Sequence, residues 1–328
     1  MKGQPLNLAL WGIGQHASRT VLPAIRASED VRLVGVHSRN RDVVAATCHA
    51  YACRSWESES EMLADPAVEA VYLATPVRLH REQGLAVLVA NKHLLCEKPL
   101  AMDRLAAGEL AQAARTHGRL LFEAFMYLHH PRFVGLLEIL RSGRLGRVRS
   151  IISAFTLPAL VNPGYRHDAS LGGGALLDVG CYPVSLALAL DSTAPTVAHA
   201  RWELIAGKGV DGFGTATLRL GGGADAAMTW GYGCGYRNEV TIIAEHGSAQ
   251  LDRVFTKGGE TACGLTLFDQ HGKPELIAYP VVSSFAAMFT AVHEAIHDPL
   301  QHHQHREKVE LQASVMDAIR LHANGNQR

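Results

Sequence analysis

The chain has 328 residues, with 31 Lys and Arg against 31 Asp and Glu, and 48% of its residues are hydrophobic. That length gives room for about two domains, and the composition excludes bulk disorder and any need for a disulfide staple. The balanced charge argues against a nucleic-acid partner, whose phosphates call for surplus Lys and Arg.

The first third alternates strand and helix patterns. Leu6 to Trp11 reads as a buried strand, Ala17 to Ala27 as a helix, Val31 to His37 as a strand and Arg41 to Tyr51 as a helix. A short helix over Glu59 to Ala64 stops near Pro66. Val71 to Ala74 then reads as a strand, Arg78 to Ala90 as a helix, His93 to Cys96 as a strand, Asp103 to Thr116 as a helix and Leu120 to Ala124 as a strand. Such alternation implies right-handed crossovers and a doubly wound parallel sheet of the α/β class. After residue 124 the pattern changes. A helix over Arg132 to Ser142 and a strand over Val148 to Thr156 come first. From Thr196 the strands follow one another without helices: around Thr215 to Leu220, then Ala226 to Trp230, Val240 to Ala244, Gln250 to Val254, Leu265 to Phe268 and Leu276 to Tyr279. This predicts a mostly antiparallel open sheet in an α+β domain. Helices over Phe285 to Ile296 and Glu307 to Ala323 end the chain. The expected division is a dinucleotide-binding Rossmann domain over 1–124 and a second domain over 125–328.

No apolar run reaches the ~18 residues of a membrane span, and Leu6 to Trp11, running into glycines, is too short for a signal peptide. No membrane association is expected. The six cysteines, Cys48, Cys53, Cys96, Cys181, Cys234 and Cys263, lack CxxC spacing and read as reduced thiols of a cytoplasmic protein. His302, His303 and His305 read as a solvated turn rather than a metal site, so no metal is expected.

The chemistry starts with Gly12-Ile13-Gly14-Gln15-His16-Ala17, a G-x-G-x-x-A between strand and helix. The first glycine permits the tight turn, the second lets backbone approach a pyrophosphate, and the small third residue lets helix and strand pack closely. The helix N-terminus offers free N–H groups to phosphates. An NAD-preferring site carries an acid some 20 residues further on to hold the ribose hydroxyls. No carboxylate lies between residues 31 and 41, where Ser38 and Arg39 stand instead. An Arg pairs with a 2′-phosphate, so NADP is favoured over NAD. Glu97-Lys98-Pro99 follows a strand, and ligands of open parallel sheets bind beyond the carboxyl ends of strands. Lys98 is therefore expected at the cofactor cleft, as proton donor or electrostatic partner. In Gly172-Gly173-Gly174-Ala175-Leu176-Leu177-Asp178-Val179-Gly180-Cys181-Tyr182-Pro183, a helix would put Asp178 and Tyr182 on one face. Pro183 argues for a later helix start, and the segment reads equally as a glycine-rich turn leading into a buried helix, Val184 to Leu190.

In order, the G-x-G-x-x-A turn, Thr75-Pro76 with His80, Glu97-Lys98-Pro99, Glu123-Ala124-Phe125-Met126-Tyr127 with His130-Pro131, and the GGGALLDVGCYP segment resemble the glucose–fructose oxidoreductase / inositol dehydrogenase (Gfo/Idh/MocA) family. Tyr182, where inositol dehydrogenase-like members carry His, matches the branch of dihydrodiol and xylose dehydrogenases and nucleotide-sugar ketoreductases. Leu128 departs from that branch, which often has Arg there. The resemblance implies a two-domain NAD(P)-dependent oxidoreductase. It would transfer hydride between nicotinamide and a carbinol or carbonyl carbon of a sugar, cyclitol or related polyol. A homodimer or homotetramer through the C-terminal sheet is also implied. Gly12, Ile13, Gly14, Gln15, His16, Ser38, Arg39, Thr75, Pro76, His80, Glu97 and Lys98 would bind cofactor. Tyr165 and Arg166 match the loop over the substrate pocket, and Tyr127 lines that pocket or packs at the domain junction. Tyr182 is expected as the acid/base, its phenol, ordinarily near pKa ~10, lowered by the Lys98 ammonium. Asp178 is expected to hold Lys98 or a substrate hydroxyl. Reduction of an imine in the same cleft, and a non-catalytic NAD(P) sensor, are the alternatives.

Overall fold

The computed structural model describes residues 4–256 and 264–325, so Cys263 lies outside the described residues. The chain forms two compact units, Met1–Ala124 with Phe285–Glu310, and Phe125–Ser284 with Leu311–Arg328.

In the first unit, β1 (Leu6–Trp11), β2 (Val31–His37), β3 (Arg54–Ser55), β4 (Ala70–Leu73), β5 (His93–Cys96) and β6 (Leu121–Glu123) make a six-stranded sheet in the order β3-β2-β1-β4-β5-β6. All its pairings are parallel. This is the doubly wound order, whose ligand crevice opens where the winding reverses, beside the carboxyl ends of β1 and β4. β4 is buried along its whole length, as a strand covered on both faces must be. The two-residue β3 is exposed, and so short a strand leaves no periodicity to read. The crossovers are α1 (Leu22–Ala27), α2 (Arg41–Tyr51), α3 (Glu59–Ala64), α4 (Val77–Val89) and α5 (Arg104–His117). Asn40, Ser58 and Asp103 cap three of these by accepting backbone N–H bonds, the usual remedy for free donors at a helix start. A wide π-type turn over Ala17–Val21 precedes α1. Pro23 lacks the N–H that a regular turn would need there.

The second unit holds α6 (Pro131–Arg141), β7 (Val148–Thr156), α7 (Cys181–Leu190), β8 (Thr196–Leu204), β9 (Asp211–Arg219), β10 (Asp225–Gly231), β11 (Arg237–Ala244), β12 (Gly247–Asp252), β13 (Gly264–Asp269) and β14 (Pro274–Ala278). Its eight-stranded sheet runs β14-β13-β12-β11-β7-β10-β9-β8. Among the described residues only the β10–β7 pair of this sheet is parallel, so the expected mostly antiparallel sheet is present. Helical structure begins ahead of Asp178, in a π-type turn over Leu176–Gly180 that runs into α7. The later start expected from Pro183 is therefore corrected: the wide turn absorbs the missing proline donor. The stretch Ala169–Leu190 is long and apolar enough to cross a membrane by composition, yet 78% of its apolar window is buried inside the protein. Its helical part, the turn over Leu176–Gly180 with α7, contains the buried helix expected over Val184 to Leu190.

Two helices end the described chain, α8 (Ser284–Ala295) and α9 (Pro299–Gly325). A single cut after residue 124 is corrected here, because Phe285–Glu310 belongs to the first unit. α8 buries Phe285, Met288, Phe289, Val292 and Ala295, the stripe of an amphipathic helix. Phe289 packs against Tyr72 of β4 with ring centroids 6.1 Å apart, and Thr290 donates to Asp30 at 2.5 Å. The 302–305 histidines are also corrected: they lie in the first turns of α9, and His302 is buried. Among the described residues no His, Cys, Asp or Glu group could hold a metal ion.

Candidate active site

The glycine turn follows β1. Gly12 has φ +97°, and a Cβ there would lie 2.8 Å from the Thr75 methyl and 2.9 Å from the Ala74 carbonyl. Only glycine fits. Ala17 is 1% exposed, so the third small residue closes helix onto strand as its type predicts. A Cβ on Gly14 would meet no protein atom within 4 Å. Packing does not demand that glycine, whereas the close approach of a pyrophosphate would. The turn thus fits a dinucleotide, with Ile13, Gly14, Gln15 and His16 around the mouth of the helix. Ser38 and Arg39 follow β2, and Arg39 is exposed. Asn40 behind them accepts from Asp42 N–H at 3.1 Å and Val43 N–H at 3.2 Å, which sets the direction of this loop. Replacing Arg39 by Glu is expected to weaken NADP binding about tenfold or more and leave NAD binding nearly unchanged. Equilibrium titration with both cofactors checks this.

At the ends of β4 and β5, Glu97 is the hub. Its Oε1 accepts from Tyr72 Oη at 2.7 Å and lies 3.1 Å from His16 Nε2. Burial would raise this carboxyl, but the His16 and Tyr72 bonds and the Lys98 charge outweigh it and hold Glu97 below its ordinary range. Glu97 therefore ties the glycine turn to the lysine loop rather than offering a free contact. His80, expected to touch cofactor, is corrected to a buried strut. It is 1% exposed, with Nε2 2.8 Å from the Thr75 carbonyl and Nδ1 3.1 Å from that of Pro99. It pins the Thr75-Pro76 loop to the Lys98-Pro99 loop. Thr75 also donates to Gln83 at 2.6 Å.

Glu123 opens the Glu123-Ala124-Phe125-Met126-Tyr127 stretch, and nothing local in that stretch marks its role. Its Oε1 accepts from Leu100 N–H at 2.7 Å, which holds the loop from the β6 side. Burial pushes its carboxyl up to about 7, against smaller lowering effects from the Leu100 bond and the Lys98 ammonium. From the ordinary value of 4.5 up to about 7, the folded state keeps a proton that the unfolded chain has released, so stability falls as pH rises through that window. Glu123→Gln is expected to raise the melting temperature at pH 8, and to change it little at pH 5.

In the second unit, Asp178 is buried and its Oδ2 accepts from Arg166 Nε at 2.6 Å and Tyr232 Oη at 3.0 Å. Burial opposes the Arg166 charge, but Asp178 outweighs it and raises the guanidinium pKa. Burial and the Asp178 charge both push the Tyr232 phenol up. Tyr232 lies just beyond β10, far from Asp178 in sequence, and no motif marks it. Arg166 also stands over the Tyr165 ring, 5.1 Å from its centroid. Gly173 permits this arrangement, because a Cβ there would lie 2.6 Å from the carbonyls of Tyr165 and Arg166.

Tyr182, 5% exposed, packs among Phe125, Phe155 and Phe255 with ring centroids 5.3–5.5 Å apart. Tyr127, expected to line the substrate pocket or to pack at the domain junction, is a packing residue of this aromatic core. It is 1% exposed and its hydroxyl lies 2.7 Å from Ser185 Oγ.

Two sequence profiles match the chain. Residues 6–125 match "Oxidoreductase family, NAD-binding Rossmann fold" of GFO_IDH_MocA, and residues 133–250 match the GFO/IDH/MocA C-terminal domain. A dTDP-3,4-didehydro-2,6-dideoxy-alpha-D-glucose 3-reductase from Actinomadura kijaniata is 31% identical over 97% of this chain and 96% of its own. The chain belongs to the Gfo/Idh/MocA oxidoreductase family. Among solved structures, the 3-ketoreductase KijD10 from Actinomadura kijaniata, in complex with NADP and TDP-benzene, superposes with a TM-score of 0.90. It is 31% identical, over 97% of this chain and 98% of that one. A D-xylose 1-dehydrogenase (NADP(+)) of Haloferax volcanii is 34% identical over 52% of each chain. This Gfo/Idh/MocA member is accordingly an NAD(P)-dependent oxidoreductase acting on sugars or related polyols.

Proposed function

We propose that this enzyme uses NADP to reduce a keto group on a nucleotide-linked deoxysugar. The near full-length likeness to a 3-ketoreductase that binds NADP and a TDP derivative carries this reading. Arg39, exposed after β2 with no acid beside it, supports NADP over NAD. The nicotinamide, when bound, supplies the hydride. The glycine turn and the Glu97-braced loop orient the dinucleotide, and Lys98 offers an ammonium at the carboxyl end of β5. Tyr182 moves the proton to the carbonyl oxygen, from a ring held by three aromatic neighbours. The Arg166–Asp178–Tyr232 cluster aligns the 165–166 loop so that Tyr165 and Arg166 meet the substrate. KijD10 has been solved with a tyrosine replaced by phenylalanine and with a lysine replaced by alanine, the residue types assigned here. We further propose a homo-oligomer through the second unit's sheet, whose outward face carries Ile152, 49% exposed, and Ile243, 42% exposed, on paired strands β7 and β11. The free thiols of the five described cysteines suit the cytoplasm.

The test is NADPH consumption with 3-keto and 4-keto dTDP-sugars, set beside NADP reduction with free aldoses. The expected result is turnover of a keto nucleotide sugar. Turnover of free aldoses alone would move the enzyme to the sugar dehydrogenases.

A further inference from the structure

The amino-terminal end of the parallel sheet, opposite the cofactor crevice, carries a cluster of basic side chains that the oxidoreductase chemistry does not use. His93 opens β5, Arg119 precedes β6, and His302 and Arg306 come from the returning helix α9. The His93 and His302 rings meet edge to face, 5.8 Å between centroids.

His93 Nδ1 accepts from the Leu120 N–H at 3.0 Å. Burial, with Arg119, His302 and His297 alongside, lowers the His93 pKa to about 3, so the ring is neutral and its one proton sits on Nε2. Arg119 Nη1 lies 3.5 Å from that same Nε2. A guanidinium has only donors, so this contact sets one N–H against another and is no hydrogen bond. The Nε atoms of Arg119 and Arg306 are also buried without a hydrogen-bond partner. Arg306 is held below the ordinary arginine range by burial and then by the Arg115 guanidinium, against the smaller pull of Glu310 and Glu307. His302 Nε2 is already committed to the Ile296 carbonyl at 3.0 Å. Buried donors left without acceptors cost about 1–3 kcal/mol each, and more when charged. The Arg115 and Arg306 guanidiniums bring like charge together near this end of the sheet.

We propose that Arg119, Arg306 and the Nε2–H of His93 form a binding site for a phosphate oxyanion, taken up as inorganic phosphate or as the monoester of a small metabolite. Guanidinium N–H groups match phosphate oxygens in geometry and charge. An oxygen set between Arg119 and His93 would turn the opposed donors into two hydrogen bonds. The site draws on α9 as well as on β5 and the approach to β6, so occupancy would fasten the returning segment to the sheet.

Calorimetric titration of inorganic phosphate into the NADP-saturated enzyme tests this, with ionic strength held by chloride. Saturation with NADP keeps phosphate from the glycine turn and Arg39. One equivalent is expected to bind, and Arg119→Gln or Arg306→Gln to weaken it about tenfold or more. Tighter binding of glycerol phosphate than of phosphate would identify the monoester as the ligand, and equal binding the free anion. Absence of binding, or undiminished binding in both variants, would overturn the site. Should the variants fail to fold, hydrogen exchange of the wild-type enzyme decides. Phosphate is expected to slow exchange at residues 93–95 and 299–310, and unchanged exchange there refutes the proposal.

Discussion

Replacing Tyr182 by Phe is expected to lower kcat by about 10²- to 10⁴-fold, the usual worth of general acid–base assistance. The fold should hardly notice. Tyr182 sits among Phe125, Tyr127, Phe155 and Phe255, with ring centroids 5.3–5.9 Å away, and a Phe ring keeps every one of those edge and tilted contacts. Stability should stay within about 1 kcal/mol, as for a volume-conserving swap. Cofactor affinity should stay within a few-fold, because the dinucleotide-binding residues lie on other elements. Steady-state kinetics, cofactor titration and denaturant unfolding separate these three quantities. A variant with full turnover would remove Tyr182 from the chemistry, and one that fails to fold would recast it as a packing residue.

Gly12→Ala is expected to damage both fold and cofactor binding. At φ +97° an alanine is strained by about 1–2 kcal/mol. Its Cβ would also press on the Thr75 methyl and the Ala74 carbonyl, and overpacking of this kind costs about 1–3 kcal/mol. A combined loss of about 2–5 kcal/mol should appear in the denaturant midpoint. The turn would shift against the β4 loop that His80 and Thr75 brace, and NADP affinity should drop about tenfold or more. Gly14→Ala is the informative contrast. With no protein atom within 4 Å of its Cβ, stability should hold within about 1 kcal/mol while cofactor affinity falls. Equal stability losses in the two variants would count against a phosphate-binding role for the second glycine.

Much of this enzyme is written in local patterns. β1, β2, β5 and α2 lie where apolar runs, turn residues and helix periodicity place them, because those signals come from backbone sterics and burial within a few residues. The glycine turn is legible for the same reason: each of its small residues answers a constraint imposed by the adjacent strand and helix. The exchange of an acid for Ser38 and Arg39 is equally local.

Other features depend on residues that meet only after folding. Nothing in the sequence marks Phe285–Glu310 as part of the first unit. A buried stripe says that a helix packs, not which sheet receives it. His80 and Tyr127 look like ligand-facing residues because they stand in motifs, yet their ring and hydroxyl groups are spent on Thr75, Pro99 and Ser185. The raised carboxyl of Glu123 comes from burial, which a single residue letter does not record. Tyr232 reaches Asp178 from 54 positions away, and the opposed donors of Arg119 and His93 arise where two strand approaches converge. Dihedral preference and hydrophobic period are properties of a short stretch, so the chain alone determined the elements and the cofactor turn. Electrostatic environment and partner choice sum over every segment brought near, so only the tertiary structure decided which motif residues are struts and which remain open to a ligand.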